Sequence, residues 1–471
     1  MRIMETKEKQ SVSLQKENAA AAPLESGGID YTKLPLLHFA WPILIENILR
    51  VSLSGADVFM LSFYSEEAVA ATGLVSQLVF LLNLLYMMVT SGASILISQY
   101  LGARNGAAAK DSAQGSIVLS IIFAVVLSTL MCVFAKHIIG FYKLEPNVHK
   151  FAMQYMVIFS AGSVSVSLCM ILGTILRSYG YSREPMIINI IVMIINIIGN
   201  YIFIFGPFGI PVLGVTGVAL STIFSQVVAC IILIVILKKR PDISLPLKGL
   251  LKVPKSVYRK ILSVGVPTAG ENLSYNLGQI VIMRMVSSLG TEAMTATVYA
   301  LTVLRFVHIS SISIGIATQI KVGYFVGAGL AGEAKKKVYR YFATGFVISL
   351  SLVIIANLLQ VPILKLFTQN ANVHQLVFGI LLIALMLEPG RNFNVIIIPA
   401  LKGAGDVRFP VYIGILFMWG IGVLFAYIFG ITLGWGLMGI WIALTLDEWI
   451  RGFVMLGRWH GERWKTKALI R

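Results

Sequence analysis

The chain has 471 residues, 57% of them apolar and 13% charged, with a mean hydropathy of +0.84; soluble domains carry roughly a quarter charged residues, so a soluble globular protein is excluded. The net charge of +17 falls mostly in alternate short loops between apolar segments. That placement is a membrane-orientation pattern and excludes a nucleic-acid binder. Cys132, Cys169 and Cys230 all lie in apolar stretches without ligand-type spacing, which argues against disulfides and a zinc site.

Residues 1–33 are polar and lack a cleavable apolar core, so they read as a disordered cytoplasmic tail with no signal peptide. Beyond them, stretches of about 20 apolar residues recur, the length that crosses a core of about 30 Å as helix. They lack the alternation of barrel strands. Spans are expected at about 36–61, 73–98, 115–138, 152–175, 185–205 and 214–237, then 261–286, 294–320, 341–364, 375–400, 409–430 and 434–456. The fold class is therefore all-α integral membrane, with twelve transmembrane helices.

Loops after the even-numbered spans are basic, among them Arg104 with Lys110, Arg177 with Arg183, and the run Lys335 to Lys337. Loops after the odd-numbered spans carry few Lys or Arg and display Glu66, Glu67 and Glu292. Both termini are thus expected on the cytoplasmic side of a plasma or inner membrane. Between spans 6 and 7, residues 238–260 hold eight Lys/Arg and read as a basic cytoplasmic linker. This divides the chain into an amino lobe (34–237), the linker, a carboxy lobe (261–457) and a basic tail (458–471).

The lobes repeat. An offset of 225 carries Pro42 onto Pro267, Glu46 onto Glu271, Asn47 onto Asn272, Glu67 onto Glu292, Gly102 onto Gly327 and Pro185 onto Pro410. Six spans per repeat start each repeat on the same side. The two bundles are therefore parallel, related by a pseudo-two-fold axis along the membrane normal. A cavity between such bundles can open to either side in turn.

Ionisable residues inside spans are costly and usually face a bundle interior or a water-filled cavity. Glu46 with Arg50, spaced i,i+4, and Glu388 with Arg391, spaced i,i+3, can each pair on one helix face. Both pairs read either as internal charge pairing or as working groups. Asn394 follows the second pair as a further cavity candidate. Arg284 and Arg305 either balance Glu271 or meet an anionic part of a substrate. Asp57 has no basic residue at i+3 or i+4. Desolvation disfavours the charged form of a solitary carboxylate, so such a group can alternate between protonated and cation-bound states. Asn196 and Asn200 share a face of span 5 at i,i+4, and their carbonyl oxygens are suited to complete a shell for a hard cation with Asp57. The alternative for Asp57 is a hydrogen bond at a helix interface. No phosphate-binding loop, dinucleotide fingerprint, HExxH or catalytic triad is found. An enzyme and an organic cofactor are not expected, and an ion or substrate gradient must supply the energy.

Several stretches resemble the multidrug and toxic compound extrusion (MATE) family of antiporters, within the multidrug/oligosaccharidyl-lipid/polysaccharide exporter superfamily. They are PILIENILRVSLSGADVFML from Pro42, SQYLGARNG after span 2 with its echo VGYFVGAG from Val322, LRSYGYSREP from Leu176 with its echo LKGAGDVRFP from Leu401, and NIIGNYIFIFG from Asn196. The resemblance spans residues 35–458. It implies export of organic cations or other amphiphilic compounds against inward Na+ or H+, by a monomer in the bilayer. It also implies that Asp57 is the amino-lobe functional Asp and Asn196 a cation-site Asn, with possible Na+ ligation by Asp57, Asn196 and Asn200. Asn200 stands where one bacterial branch has Asp, which weakens a relay through two acids. Glu271 lies one to two turns before the family's acidic position in span 7, and Glu388 lies before that of span 10. A flippase for a lipid-linked precursor and a membrane receptor or scaffold are the rival readings.

Overall fold

A computed structural model describes residues 30–243, 253–365 and 367–470. Twelve long helices follow in chain order: α1 Leu36–Ser62, α2 Glu66–Gly102, α3 Gly106–Val133, α4 Pro146–Ser178, α5 Arg183–Phe205, α6 Val215–Lys239, α7 Lys255–Ser288, α8 Thr291–Gly327, α9 Ala331–Leu358, α10 Ala371–Asn392, α11 starting at Arg408–Phe417, and α12 Gly436–His460. The central part of the expected linker, residues 244–252, and residues 1–29 of the expected amino-terminal tail lie outside the described residues.

Side-chain caps start three of the long helices, α2, α3 and α10. The Ser65 side chain accepts from the Ala68 N–H at 3.0 Å and starts α2, with Glu66 and Glu67 in its first turn. Asn105 accepts from the Ala108 N–H at 3.0 Å and starts α3. The expected ninth span, 341–364, runs through a break: α9 ends at Leu358 and a short helix, Gln360–Lys365, follows. Asn357, Gln360 and Pro362 interrupt the apolar run at this point, and a proline in the first turn of a new helix marks a boundary that the expected span ran across. Helix α10 widens into a π turn over Phe393–Ile397 before continuing as Ile398–Gly403. Pro399 lacks an N–H and its ring would crowd the carbonyl of Val395, so the wider turn relieves the clash.

Ten of the twelve helices are long and apolar enough to cross a membrane by length and composition, with α10 and α11 counted through their continuations. Helices α7 and α12 fall outside that set. The first carries Glu271 and Arg284, the second Asp447, Glu448, Arg451 and Arg458. Charge has replaced apolar residues where the carboxy-terminal lobe needs it.

Each lobe is a six-helix bundle with its own apolar core, one built around Leu61, Val75, Tyr86 and Ile204, the other around Ile282, Leu304, Leu381 and Ile440. The lobes meet through α2 and α8, flanked by α1 and α7. The two-fold is written into these contacts. A Cβ on Gly102 would run into the carbonyl of Tyr324, and one on Gly327 into the carbonyl of Gln99; both pairs of positions are related by 225 residues. Only glycine lets the two backbones approach this closely.

Among the described residues, the hydrogen bonds joining the lobes lie toward the end that carries the described termini. Asn47 Nδ2 donates to Ser313 Oγ at 3.2 Å, Gln99 Nε2 to the Gly403 carbonyl at 2.8 Å, and the Tyr324 hydroxyl to the Ser178 carbonyl at 2.6 Å. The carboxy-terminal segment joins the same seam: the Leu469 N–H donates to Gln99 Oε1 at 2.9 Å, and Trp464 stacks on Trp459, both fully buried. The expected basic tail is therefore folded against the bundle, and its first residues, 458–460, belong to α12. Moving away from this end, one stripe on each central helix changes character at the same depth. On α2, Leu84, Met88, Ile95 and Ser98 are buried while Gly73, Gln77 and Phe80 are exposed; on α8, Ile309, Ser313, Ile320 and Gly323 are buried while Met294, Val298 and Arg305 are exposed. The lobes are closed at the basic end and part toward the other, leaving a central cleft.

Candidate functional sites in the two lobes

In the amino-terminal lobe, four helices close around Asp57. Asp57 on α1 and Asn196 and Asn200 on α5 are all buried. Asn200 Nδ2 donates to Asp57 Oδ1 at 2.6 Å and lies 3.1 Å from Asn196 Oδ1. Asn196 Nδ2 in turn donates to Thr222 Oγ1 on α6 at 3.0 Å. Tyr155 on α4 lies beside Asp57 and Thr222. The spacing of Asn196 and Asn200 puts both amides on the face of α5 that meets α1 and α6. Asn200 Oδ1 is buried without a donor, so the cluster keeps an open oxygen next to a carboxylate. Thr222 and Tyr155 were missed in the sequence, because a hydroxyl in an apolar span looks the same whether it serves a site or bonds its own helix. Thr222 does the latter as well, donating to the Val218 carbonyl.

Glu46 belongs to a separate, structural arrangement. Its carboxylate takes Arg177 Nη1 at 2.8 Å and Arg50 Nη2 at 3.1 Å. Arg177, read from sequence as a loop charge, is the last-turn residue of α4 that fixes α4 to α1.

In the carboxy-terminal lobe, α10 and α12 bring a dense ionic cluster together. Glu388 pairs with Arg391, and Arg391 Nε lies 3.5 Å from Glu448. Arg451 holds Glu448 at 2.9 Å and Asp447 at 3.0 Å. Asn394 Nδ2 donates to Glu448 Oε2 at 2.7 Å; among the sequence candidates it is a support for Glu448, and only Arg391 lines the adjacent cavity. That cavity, of about 230 Å³, runs from His308, Asp447 and Glu448 to an apolar wall that includes Met283, Ile440 and Trp441. Glu388 Oε2 and Asp447 Oδ1 are buried without donors. Asp447, Glu448 and Arg451 escaped the sequence reading although the run Asp447-Glu448-Trp449-Ile450-Arg451 breaks an apolar span as plainly as Glu388 does.

Glu271 does not meet either arginine proposed for it. Its partner is Lys402 at 2.6 Å, joining α7 to the continuation of α10. Arg284 and Arg305 are both exposed, and neither has a charged partner among the described residues. Among those residues there is no group of three or more His, Cys, Asp or Glu arranged to hold a metal ion.

The architecture is a repeat, and the sequence of the repeat is that of a known family. The MatE family model matches residues 42–202 and again 267–428. The chain belongs to the MatE family. The two matches start 225 residues apart, the offset of the internal repeat. An uncharacterized transporter, YisQ, of Bacillus subtilis is 36% identical over 92% of this chain and 95% of its own length. A probable multidrug resistance protein NorM of Thermotoga maritima is 28% identical over 92% of this chain and 94% of its own. Among solved structures, an outward-facing multidrug resistance MATE family transporter superposes with a TM-score of 0.86 over 93% of this chain and 98% of that one, at 20% identity. The twelve-helix, two-lobed MatE fold is thus shared well beyond the level at which sequence alone aligns.

Proposed function

We propose that this MatE protein is a secondary exporter of amphiphilic organic compounds that works by alternating access, exchanging its cargo for Na+ or H+ bound at Asp57. The observation that carries this reading is the Asp57 cluster: one carboxylate with the neutral oxygen-bearing side chains of Asn196, Asn200, Thr222 and Tyr155, the Asn200 amide oxygen standing open, all enclosed in one lobe of a two-lobed cleft. Oxygen ligands of this kind suit a hard cation, and a lone buried carboxylate also suits a proton. Asp57, Asn196, Asn200 and Thr222 would hold Na+ if that is the coupling ion. The basic loops support placing both termini in the cytoplasm of a plasma or inner membrane, which makes the cleft outward-open. In that form the cation enters and the cargo leaves. The amino lobe then repacks around the cation, the outer ends close, and the glycine-lined seam of α2 and α8 parts to the cytoplasm. Coupling requires only that cation and cargo prefer different conformations. The names of the relatives, a transporter and a multidrug resistance protein, support the same reading.

The test is flux in proteoliposomes under an imposed gradient, with Na+ titrated at fixed pH. Saturable dependence on Na+ assigns sodium, and flux that follows only the pH gradient assigns the proton. Flux that ignores both gradients would discard ion-coupled antiport.

A further inference from the structure

Ser98 on α2 lies against Gly323 on α8 at the closed end of the seam, and the two positions are related by the 225-residue offset. Eighteen residues, five full turns of helix, separate Ser98 from Phe80 and Gly323 from Arg305. Phe80 and Arg305 therefore point as Ser98 and Gly323 do, each toward the opposite lobe, but where the lobes have parted; both are exposed. The repeat has put an aromatic ring on one wall of the cleft and a guanidinium on the other.

Arg305 stands 14 residues into α8 from Thr291, about 21 Å at about 1.5 Å per residue, deep in a hydrocarbon core of about 30 Å. Arg284, also without a charged partner among the described residues, stands only four residues from the end of α7 at Ser288. The basic side chains at depth other than Arg305 are satisfied: Arg50 and Arg177 by Glu46, Lys402 by Glu271, Arg391 and Arg451 by the acids of α10 and α12, and Lys321 by the carbonyls of Tyr31 and Thr32. Arg305 meets no acceptor among the described residues. An unpaired guanidinium at that depth is tolerated where it faces a water-filled cavity, and the cleft is one. The carboxylates of the spans point the other way: Asp57, Glu388, Asp447 and Glu448 are buried inside their lobes. The free charge on the cleft wall is positive.

We propose that the cleft selects its cargo by an anionic head group, a carboxylate or similar oxyanion taken by the planar fork of Arg305, with Phe80 opposite receiving the apolar body. This rests on the exporter reading and narrows its substrate class away from the organic cations that the family resemblance suggested. Coupling cation and cargo head then have opposite charge and separate places, Asp57 inside the amino lobe and Arg305 on the wall of the cleft.

The experiment uses the full chain in liposomes, with three probes. Carboxyfluorescein is the anion, and tetramethylrhodamine methyl ester is a cation on the same three-ring body. A fluorescently tagged phosphatidylglycerol, followed by dithionite quenching, reports a lipid head group. Wild type is expected to move carboxyfluorescein in preference to the rhodamine ester. Arg305→Gln should lower the carboxyfluorescein rate about tenfold, as expected for one charge-assisted contact, and spare the rhodamine ester; Arg305→Lys should keep most of the anion rate. Wild type moving the cation and not the anion overturns the proposal, as does an Arg305→Gln protein that moves both dyes like wild type. Movement of the tagged lipid without carboxyfluorescein reassigns the head group to a lipid and overturns the soluble cargo. If no probe moves under any gradient, the exporter reading itself has failed.

Discussion

Asn200 Nδ2 lies 2.6 Å from Asp57 Oδ1 while the same amide's oxygen is buried without a donor. One side chain thus holds the carboxylate in place and offers a vacant lone pair beside it. Asp57→Asn keeps the shape and removes the charge, so gradient-driven flux should fall to the rate of protein-free liposomes while the protein remains monodisperse in detergent. Thr222→Val removes one candidate ligand and the acceptor of Asn196. Under sodium coupling it should raise the half-saturating Na+ concentration about tenfold, the size of one lost polar contact. An unchanged Na+ titration curve would take Thr222 out of the site.

Glu46 receives two guanidinium groups, from its own helix and from the end of α4. Its removal leaves Arg177, a largely buried cation, without its acid. Breaking a buried pair from one side typically costs about 3–5 kcal/mol; Arg177 retains some solvent contact and a bond to Thr174 Oγ1, so Glu46→Gln should sit at the lower end. The readout is the detergent Tm, which should drop clearly while the Na+ dependence of whatever protein survives stays as in wild type. A Tm unchanged from wild type would contradict the structural role.

The seam predicts a conformational phenotype. A side chain at Gly102 or Gly327 meets backbone of the opposite lobe, which cannot swing aside as a flexible side chain can. Gly102→Val should therefore prop the basic end apart. A cysteine placed at Ser98 should label with a membrane-impermeant maleimide from the terminus-bearing side in Gly102→Val and stay protected in the otherwise wild-type protein. Equal protection in both would show that the contact does not hold the seam.

Much of this fold is legible in the chain. Apolar runs mark ten of the helices because crossing a membrane imposes a length, α7 and α12 being legible despite the charges they carry, and the offset from Glu46-Asn47 to Glu271-Asn272 exposes the repeat because polar residues in spans seldom recur by chance. The break at Leu359 is marked by Asn357, Gln360 and Pro362, and the expected span ran across it because the apolar residues resume on the far side. Asp57, Asn196 and Asn200 were found as residues that do not belong in lipid, and the structure brings those three together. Thr222 needed tertiary information. So did the link between Glu46 and Arg177, which are 131 residues apart, and the capture of Glu271 by Lys402. Asp447, Glu448 and Arg451 needed none; the rule that singled out Glu388 applies to them unchanged.

Outside the membrane, Glu462 makes a pH prediction. Hydrogen bonds from Lys335 and then Lys465 hold its carboxyl well below the ordinary 4.5, at about 2. A depressed acid stabilises its contact above the ordinary value and loses that contribution as pH falls from about 4.5 toward 2. The carboxy-terminal segment should thus stay docked from neutral pH to pH 5, followed by hydrogen exchange of the segment around Trp464 and Leu469 in the unchanged protein. Any loosening should begin below that range, and Glu462→Gln should remove its acid-dependent part. Loosening already complete at pH 5 would assign the docking to another group.

The carboxy-lobe cluster separates holding from working through its two neighbouring acids. Glu448 is shared by Arg391, Arg451 and Asn394, so Glu448→Gln weakens three contacts at once and should cost about 3 kcal/mol or more of stability. Asp447 lines the cavity, gives one oxygen to Arg451 and leaves the other buried without a donor, so Asp447→Asn should cost less. If the cluster only holds α10 to α12, flux per folded molecule should be preserved in both variants and only the detergent Tm should order them. If the open oxygen takes a ligand, Asp447→Asn should lower flux while its Tm stays near wild type. Measuring both quantities on both variants decides the matter, because only a ligand on the open oxygen makes Asp447→Asn lose flux without losing stability.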